Sequence, residues 1–364
     1  MTILSGPSEH PIFSRCPALR ERLPHVPLGD FPTPVERLDA LGRQLGVREL
    51  WAKRDDRTSS AYGGNKVRKL EFLLGDALRA GAREVVTMGA AGSNHALATT
   101  IHAARLGMPT TLFLTPQPAS DRVRGNLLLD LIHGANVLPA VDSDDARAQA
   151  QAHVEMRRAE DGVMSYLIPL GGTNPTSVAG MTDAGLELVM QAFQGECLLP
   201  DVVYVAMGSM GTAAGIALGL GISRVPTEVR AVRVTPESLS SAEALFELVE
   251  DTRDLMCALD SACDCTVDIS VNATVIDDFF APGYGAFDPR VADAVALARE
   301  HRLVLDDTYT GKAFAALIAD AAAGALAGAR VLFWDTFNSY DLTPRIQQAD
   351  FHRLPEEFHR YFVE

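Results

Sequence analysis

The sequence predicts an α/β protein with two doubly wound open sheets. Apolar runs rich in β-branched residues alternate with segments of helical period, which is typical of β-α-β units around a parallel sheet. This alternation occurs both before and after Pro200, and glycine-rich turns stand between strands and helices. With 364 residues, the chain exceeds the usual size of one simple domain and can bury a substantial core.

The first series of elements predicts a smaller domain, inserted at residues 68–172. Helices are predicted after Ser93, Asp121 and Asp144, because apolar residues recur there at three- and four-residue spacing without internal proline. Residues 1–67 and 173–364 then form the larger domain. The strands predicted in the insertion are 84–89, 110–115, 136–140 and 165–170.

The second series supplies the larger domain. Its predicted elements are strands at 201–208, 228–235 and 330–336 and an alanine-rich helix at 211–220. Ligands of open parallel sheets bind beyond the carboxyl ends of the strands. That rule selects two loops, G-A-A-G-S-N-H (89–95) and M-G-S-M-G-T (207–212), as candidate binding segments.

Charge and hydropathy exclude several classes of partner. The formal net charge is −15 and no block of Lys and Arg interrupts it, so nucleic acid is not expected as a partner. A membrane is not expected either, because no apolar run reaches about 18 residues. Residues 1–15 lack the basic and apolar regions of a secretory signal. We therefore expect a cytoplasmic protein.

The cysteines do not suggest a disulfide framework. There are five, an odd number, so reduced thiols are expected. Cys257, Cys263 and Cys265 form a C-x5-C-x-C cluster, but it lacks the C-x2-C spacing of zinc sites and has no neighbouring histidine. A run of unreactive thiols is the favoured interpretation, and no metal is expected.

The loop at 207–212 predicts a phosphate site. It lies between a hydrophobic strand and an alanine-rich helix, where backbone amides and the positive end of the helix can bind a phosphate. The loop is not G-x-G-x-x-G and lacks G-K-[ST], which disfavours dinucleotides and triphosphates. Glycine turns also serve merely to pack a strand against a helix, so the loop alone leaves both interpretations open. Its candidate residues are Gly208, Ser209, Met210, Gly211 and Thr212.

Two further helix starts carry candidate residues. Lys66 falls in the first turn of a helix, where the positive helix end lowers the pKa of an amine, as imine chemistry requires. Ser93, Asn94 and His95 occupy the N-cap and first turn of the next helix, whose amides can bind a substrate carboxylate. Taken singly, each of these residues is more simply a solvated, capping or packing residue.

Six motifs occur in a fixed order along the chain, and together they are more informative than the positions of single residues. They are G-G-N-K-V-R-K-L-E (63–71), G-S-N-H-A (92–96), R-G-N-L-L-L-D (124–130), P-L-G-G-T-N (169–174), G-Y-G (283–285) and D-T-Y-T-G-K-A (307–313). In this order they resemble D-cysteine desulfhydrase and its relative 1-aminocyclopropane-1-carboxylate deaminase. The resemblance implies the tryptophan-synthase-β-like fold, type II among pyridoxal-phosphate enzymes, with pyridoxal 5'-phosphate between a large and a small domain. A homodimer is also expected.

The resemblance implies roles for individual residues. Lys66 matches the Schiff-base lysine of the family and Lys69 a lysine that contacts the phosphate. Asn94 matches the residue beside the phenolic oxygen of the cofactor, and the loop at 207–212 matches the phosphate loop.

On the substrate side, the resemblance assigns Ser93 to the hydroxyl residue near the α-carbon. Tyr284 and Tyr309 match active-site tyrosines of the substrate pocket, and Asn94 and His95 complete the predicted substrate contacts.

The favoured reaction is β-elimination, with Lys66 as the base that removes the α-proton. The deaminase pattern has Tyr-Glu where this chain has Tyr309-Thr310, and a threonine hydroxyl cannot keep a pyridine nitrogen protonated as a carboxylate does. We expect Thr310 or Thr336 to face this nitrogen. A neutral pyridine suits prompt loss of a β-leaving group better than ring opening. D-cysteine would give pyruvate, ammonia and sulfide.

Departures from the family pattern leave the substrate open. Phe337 and Asn338 replace glycines of the relatives, and Ala90 and Ala91 stand where relatives have polar residues. A 1-aminocyclopropane-1-carboxylate deaminase, a cysteate sulfo-lyase, a β-chloroalanine eliminator or a racemase would need nearly the same residues. Alternatives of other classes are a nicotinamide dehydrogenase, which the missing G-x-G-x-x-G disfavours, and a non-catalytic pyridoxal-phosphate-binding protein.

Overall fold

The computed structural model describes residues 10–261, 263 and 271–363. Its strands are β1 Val35–Arg37, β2 Glu49–Arg54, β3 Glu84–Ala90, β4 Thr110–Thr115, β5 Asn136–Pro139, β6 Ser165–Leu167, β7 Val202–Met207, β8 Glu228–Arg233, β9 Ala273–Ile276 and β10 Arg330–Asp335. Its helices are α1 Pro11–Arg15, α2 Leu19–Arg22, α3 Asp39–Leu45, α4 Lys66–Arg79, α5 Asn94–Arg105, α6 Asp121–Ile132, α7 Ser143–Glu160, α8 Pro175–Phe193, α9 Gly211–Ile222, α10 Ala242–Leu259, α11 Pro289–Glu300, α12 Thr310–Ala322, α13 Thr343–Ile346 and α14 Glu356–His359.

The strands of the described ranges form two sheets. One has the order β1-β2-β10-β7-β8-β9 and the other the order β5-β4-β3-β6. All strand pairs are parallel except β1 with β2, which is antiparallel. The central strands β3 and β7 are buried on both faces, as expected where helices cover a parallel sheet on both sides. This confirms the predicted fold class.

The seven strands predicted from sequence are all present, within one to three residues at their ends. The strands β1, β2 and β9 were not predicted. Strand β2 carries Lys53 and Arg54, two charged residues that are nevertheless buried, so its sequence lacks the apolar pattern of the others. All strands of the smaller sheet lie between residues 84 and 167. The division into domains at residues 68 and 172 stays a prediction.

A buried ion network holds the helix that begins with Lys66. Arg68, on the first turn of α4, donates to Asp55 at 2.8 and 2.9 Å and to Glu187 of α8 at 2.8 and 3.0 Å. Glu187 also accepts from Lys53 of β2 at 2.5 Å. Burial alone would raise the pKa of Glu187, but Arg68 and Lys53 outweigh it and lower that pKa to about 2. The network therefore fixes α4 against the larger sheet through charges that stabilise one another.

Helices α8 and α9 cross closely, which positions the start of α9. A Cβ atom on Gly215 would lie 2.3 Å from Cβ of Met181, and one on Gly219 would lie 2.4 Å from the carbonyl oxygen of Thr182. Glycine at both positions therefore permits the contact. Helix α9 is buried along its entire length. No helix among the described residues is long and apolar enough to cross a membrane.

The cysteines differ from the sequence-based expectation. Cys16 and Cys263 form a disulfide, with Cα atoms 4.9 Å apart, so the expectation of reduced thiols is wrong for this pair. The partner of Cys263 lies 247 residues away rather than in the local cluster, and connectivity of that kind cannot be deduced from spacing. Cys197 and Cys257 are free, and Cys265 lies outside the described residues.

Candidate active site

A cavity of about 280 Å³ lies where the carboxyl ends of β3, β7 and β10 converge. This volume is close to the lower end of the range for small-molecule sites. The position follows the rule that selected the two loops from sequence. Of the predicted site residues, Lys69 and Gly211 lie behind the cavity wall. The others line it: Lys66, Ser93, Asn94, His95, Gly208, Ser209, Met210, Thr212, Tyr284, Tyr309, Thr310 and Thr336.

Lys66 is the first residue of α4 and lines the cavity. Its Nζ atom lies 3.2 Å from Oδ1 of Asn65, the hydrogen bond that orients it. Burial lowers the pKa of Lys66 to about 8, against the attraction of Asp306. Burial, rather than the helix dipole invoked from the sequence, is the main cause. An amine with this pKa is partly neutral near physiological pH and therefore nucleophilic.

The turn before Lys66 is packed so tightly that only glycine fits at positions 63 and 64. A Cβ atom on Gly63 would lie 2.1 Å from the carbonyl oxygen of Asp56. Gly64 has a φ of 99° and faces the carbonyl oxygen of Thr336. Asn65 then joins three segments, because its backbone N–H donates to Thr336 and its Nδ2 donates to Oγ1 of Thr212 at 2.7 Å. The lysine is thereby tied to both β10 and the start of α9.

The predicted phosphate loop forms the start of α9. Met210 is the N-cap with a φ of 62°, so the backbone turns sharply and its following amides point out of the helix end. A Cβ atom on Gly208 would lie 3.0 Å from the Tyr309 ring, so only a small residue leaves room here. The loop presents backbone donors and a positive helix end to the cavity, which is the arrangement that binds anions.

Lys69 is a buried cation beneath this loop. Its Nζ donates to Oγ1 of Thr173 at 2.7 Å and to the carbonyl oxygen of Gly171 at 3.1 Å. The Thr173 hydroxyl also bonds Oγ of Ser209 at 2.7 Å. Burial, together with the nearby Lys66, lowers the pKa of Lys69 well below its usual range. No carboxylate among the described residues forms a salt bridge with Lys69, so an anion bound in the loop would supply its counter-charge.

The start of α5 provides the second predicted binding element. Ser93 is its N-cap, and Oγ of Ser93 accepts from the Ala96 amide at 3.2 Å. Asn94 is held on both sides, since its Nδ2 donates to Asp306 at 3.2 Å and its Oδ1 accepts from Asn126 at 3.3 Å. The capping interpretation of Ser93 is thus confirmed, and its hydroxyl still lines the cavity.

His95 follows in the first turn of α5 and is 3 % exposed. Burial and the two lysines at 66 and 69 lower the pKa of His95 well below its usual range, so the ring is neutral. Its Nε2 lies 3.2 Å from Oγ1 of Thr87, while its Nδ1 makes no hydrogen bond within the described ranges. A buried ring nitrogen of this kind beside a cavity is available to a ligand.

Tyr284 and Tyr309 meet at the cavity wall. Their hydroxyl oxygens are 2.6 Å apart and their rings cross edge to face. Burial raises the pKa of Tyr284 to about 12, partly offset by the hydrogen bond from Tyr309. Burial and the neighbouring Tyr284 raise the pKa of Tyr309 as well. Both phenols therefore keep their protons at neutral pH.

The two threonines predicted to face the ring nitrogen differ in the structure. Oγ1 of Thr310 donates to Oδ1 of Asp306 at 2.9 Å and accepts from the Asp306 amide at 2.8 Å, so this hydroxyl is engaged within the helix start. Thr336 is half-buried at the end of β10, and its hydroxyl makes no hydrogen bond within the residues described. Thr336 is therefore the one whose hydroxyl is available to a ligand.

Asp306 and Arg122 are site residues that the sequence analysis missed. Asp306 lines the cavity, and its Oδ2 contacts Nη1 of Arg122 at 3.2 Å. The Arg122 guanidinium also lies 5.3 Å from the centre of the Phe337 ring. Oδ1 of Asp306 accepts from the amides of Tyr309 and Thr310, and such local bonds are common for an aspartate before a helix, so Asp306 was accessible to sequence reasoning. The contacts of Arg122 depend on long-range packing, so sequence reasoning could not predict them.

Asn338 also has a role that its sequence position concealed. Its Oδ1 accepts from the Gly63 amide at 2.8 Å, and its Nδ2 donates to the carbonyl oxygen of Tyr340 at 2.8 Å. In the sequence analysis, Asn338 was described only as a replacement for a glycine of the relatives. The structure shows it as a clamp between the last strand and the turn that carries Lys66.

Two doubly wound sheets that meet at such a cavity define the fold type II class of α/β enzymes. A family model described as pyridoxal-phosphate dependent enzyme matches residues 26–336, and the chain belongs to that family. It is 38 % identical to a D-cysteine desulfhydrase of Klebsiella pneumoniae, over 82 % of this chain and 88 % of the relative. It is 36 % identical to a putative 1-aminocyclopropane-1-carboxylate deaminase of Pyrococcus abyssi, over 88 % and 93 % of the two chains. The predicted family is confirmed.

Solved structures agree with the fold. A 1-aminocyclopropane-1-carboxylate deaminase homologue superposes with a TM-score of 0.78 at 32 % identity, covering 93 % of this chain and 99 % of that one. Threonine deaminase isoform 2 from Solanum lycopersicum gives a TM-score of 0.61 at 15 % identity, covering 94 % and 89 %. At this low identity, the similarity to the tomato enzyme supports the fold but not the function.

The residues present fit pyridoxal 5'-phosphate. Lys69 lacks a carboxylate partner among the described residues, and it lies behind a glycine loop whose amides are suited to a phosphate. Lys66 has the lowered pKa that attachment to an aldehyde requires. The residues that would hold the cofactor are thus Lys66, Lys69 and the loop from Gly208 to Thr212, with Asn94 and Thr336 at the ring.

Proposed function

We propose that the protein is a lyase that removes the β-substituent of a small amino acid, with D-cysteine as the preferred substrate. The proposal rests on the free hydroxyl of Thr336 at the cavity. It rests also on position 310, where the deaminase pattern has a carboxylate and this chain has a threonine engaged with Asp306. Asp306 is the one carboxylate among the described lining residues. Both of its oxygens are engaged, by the start of α12 on one side and by Asn94 and Arg122 on the other.

The ring environment decides which reaction is favoured. Pyridoxal phosphate, when bound, withdraws electrons from the α-carbon, and a neutral pyridine withdraws them less strongly than a protonated one. The Thr336 hydroxyl would donate a hydrogen bond to the ring nitrogen without transferring its proton, and the ring would then stay neutral. A leaving group that departs as soon as the α-proton is removed then has the advantage over ring opening.

Lys66 is the base of the proposed reaction. Its Nζ has a pKa of about 8 and lies at the cavity wall, so it can accept the α-proton of the substrate. The amides at the start of α5, next to Ser93 and Asn94, bind the substrate carboxylate. His95 offers its unbonded Nδ1 to the same end of the substrate.

The tyrosine pair offers one hydrogen bond to the leaving sulfur. Since one hydroxyl of Tyr284 and Tyr309 donates to the other, a single proton remains free to point into the cavity. Both pKa values are raised, so the phenols stay protonated and hydrosulfide departs without taking a proton from them. The C–H and C–S bonds of cysteine break, sulfide leaves, and the released 2-aminoacrylate hydrolyses to pyruvate and ammonia.

A substrate panel tests the proposal. The purified holoenzyme is incubated with D-cysteine, L-cysteine, β-chloro-D-alanine, D-serine, cysteate and 1-aminocyclopropane-1-carboxylate, and pyruvate, sulfide and ammonia are measured. We expect D-cysteine to give pyruvate and sulfide in equal amounts and with the highest kcat/KM. Faster release of ammonia from 1-aminocyclopropane-1-carboxylate would contradict the proposal.

Deaminase activity is the second candidate, because the Pyrococcus relative and the solved homologue carry that name. The same panel separates the two, since ring opening yields ammonia without sulfide. Loss of optical activity without pyruvate would instead indicate a racemase. A homodimer in the cytoplasm stays a prediction, and light scattering of the purified protein tests the dimer.

A further inference from the structure

Three side chains that bind metals converge outside the cavity. His10 is the N-cap of α1, His25 lies between α2 and β1, and Glu71 stands on α4, five residues after Lys66. Nε2 of His10 is 3.6 Å from Oε2 of Glu71, and Nε2 of His25 is 3.5 Å from the same oxygen. One atom from each residue lies within 4.8 Å of the others.

One carboxylate oxygen of Glu71 accepts hydrogen bonds, and the other makes none within the described residues. Its Oε1 accepts from the amides of Leu28 at 2.8 Å and Gly29 at 3.1 Å. Its Oε2 makes no hydrogen bond within the described residues, although the side chain is 1 % exposed. A buried carboxylate oxygen without a donor is costly unless a cation satisfies it.

The two histidines are also prepared as ligands. Nδ1 of His10 lies 2.6 Å from Oδ2 of Asp183, whose other oxygen accepts from the Ile12 amide at 2.9 Å. A carboxylate at this distance accepts from Nδ1, so in the neutral ring Nε2 carries the lone pair, and Nε2 faces Glu71. A carboxylate that orients a ligating histidine in this way is typical of metal sites. Nε2 of His25 is buried and likewise makes no hydrogen bond in the part of the chain that the structure describes.

From this geometry we infer that His10, His25 and Glu71 bind a divalent transition metal, with Zn²⁺ as the preferred ion. Bond lengths of about 2.0 to 2.2 Å in a tetrahedral site place neighbouring ligand atoms about 3.4 Å apart. The separations of 3.5 and 3.6 Å match this value. Two imidazoles and one carboxylate suit Zn²⁺, and water supplies the fourth ligand, since the side chains of His10 and His25 are 13 % and 20 % exposed.

The surroundings assign the metal a structural role. The rings of Phe13 and Phe72 pack on His10 and His25 at centroid distances of 5.3 to 6.3 Å, so the ligands are shielded on one side. A Cβ atom on Gly75 would lie 2.6 Å from the backbone nitrogen of His25, so the loop approaches α4 closely. The metal would join α1 and this loop to the helix that begins with Lys66.

Metal analysis of the holoenzyme tests the inference. The protein is freed of metal with a chelator, dialysed against Zn²⁺, and assayed for bound ion and for the midpoint of thermal unfolding. We expect one bound Zn²⁺ per chain and a midpoint that rises with the concentration of free Zn²⁺. His10→Ala, His25→Ala and Glu71→Gln should each lose this ion and this shift. Gln at position 71 retains the oxygen that accepts from the two backbone amides.

The control is His352→Ala, which removes an exposed histidine that also pairs with an aspartate. It should bind Zn²⁺ as the parent does. Co²⁺ used in place of Zn²⁺ should give a tetrahedral spectrum without sulfur ligation, which separates this site from the thiols of Cys197 and Cys257. If the parent binds no Zn²⁺, or if His25→Ala and His10→Ala, folded by circular dichroism, bind as much as the parent, the inference is wrong.

Discussion

Replacing Lys69 with methionine should have opposite effects on the apoenzyme and on cofactor binding. The change removes the ammonium group but keeps an unbranched side chain of similar length. In the apoenzyme, Lys69 is a buried cation without a carboxylate partner among the described residues, and its lowered pKa shows that burial disfavours its charge. Removing it should therefore leave the stability of the apoenzyme unchanged or increase it.

The expected loss in cofactor affinity follows from the proposed contact between Lys69 and the phosphate. A hydrogen bond to a charged group contributes about 1.5 to 3 kcal/mol. Since each 1.4 kcal/mol is about a factor of ten, the Kd for pyridoxal phosphate should rise about 10- to 150-fold. The nearby Gly211 supports the contact, because a Cβ atom there would lie 2.8 Å from Nζ of Lys69.

The measurement is a titration of apoenzyme with pyridoxal phosphate, followed by absorbance, together with thermal unfolding of both forms. Lys312→Met is the matched control, since Nζ of Lys312 is also buried and donates to two carbonyl oxygens, at 2.9 and 3.0 Å. The control should keep the Kd of the parent. Unchanged affinity of Lys69→Met, combined with a destabilised apoenzyme, would refute the assignment of this lysine to the phosphate.

Four further variants probe other parts of the site and fold. Lys66→Ala should abolish turnover and prevent borohydride from fixing the cofactor to the chain, and trapping on another lysine would contradict its role. Gly211→Ala should weaken cofactor binding at least several-fold by crowding the loop, whereas unchanged affinity would remove that loop from the site. Thr336→Val should raise the Kd for pyridoxal phosphate about tenfold, because about 1.4 kcal/mol of hydrogen bonding to the ring is lost, and an unchanged Kd would contradict the place of this hydroxyl at the ring. Asp130→Asn should be more stable than the parent by an amount that grows by about 1.4 kcal/mol per pH unit from near pH 4 to about pH 8. Burial raises the pKa of Asp130 from 3.8 to about 8, so folding is penalised as pH rises through that window. Urea titrations of the parent and of Asp130→Asn at several pH values measure this difference in the free energy of unfolding. A difference that does not change with pH would contradict burial of the carboxylate as the cause.

Local sequence patterns were sufficient for the elements that carry the site. Lys66 begins α4 and Ser93 caps α5, as their helix signals predicted. The glycine loop at the start of α9 was also predicted, because a strand, a glycine turn and an alanine-rich helix are adjacent in sequence. Signals of this kind depend on neighbours within a few residues, which the sequence shows directly.

Local sequence patterns could not predict features that depend on residues far apart in the chain. Strand β2 was missed because the buried Lys53 is paired with partners that are distant in sequence, among them Glu187, which lies 134 residues away. The contact of Arg122 with Asp306 was missed for the same reason, because it joins α6 to the segment before α12. The disulfide of Cys16 had the same difficulty, since its partner Cys263 lies 247 residues away.

The place of β10 in the larger sheet has a consequence for the timing of assembly during synthesis. This strand is the last along the chain, yet it lies between β2 and β7 and joins the two halves of the sheet. The carbonyl of Thr336 and the side chain of Asn338, which hold the turn before Lys66, follow directly after it. Because a ribosome releases the chain from its N-terminus, the lysine is not held in its final position until residues 330–338 have emerged. A nascent chain therefore lacks the contacts that hold Lys66 at the cavity until β10 has joined the sheet.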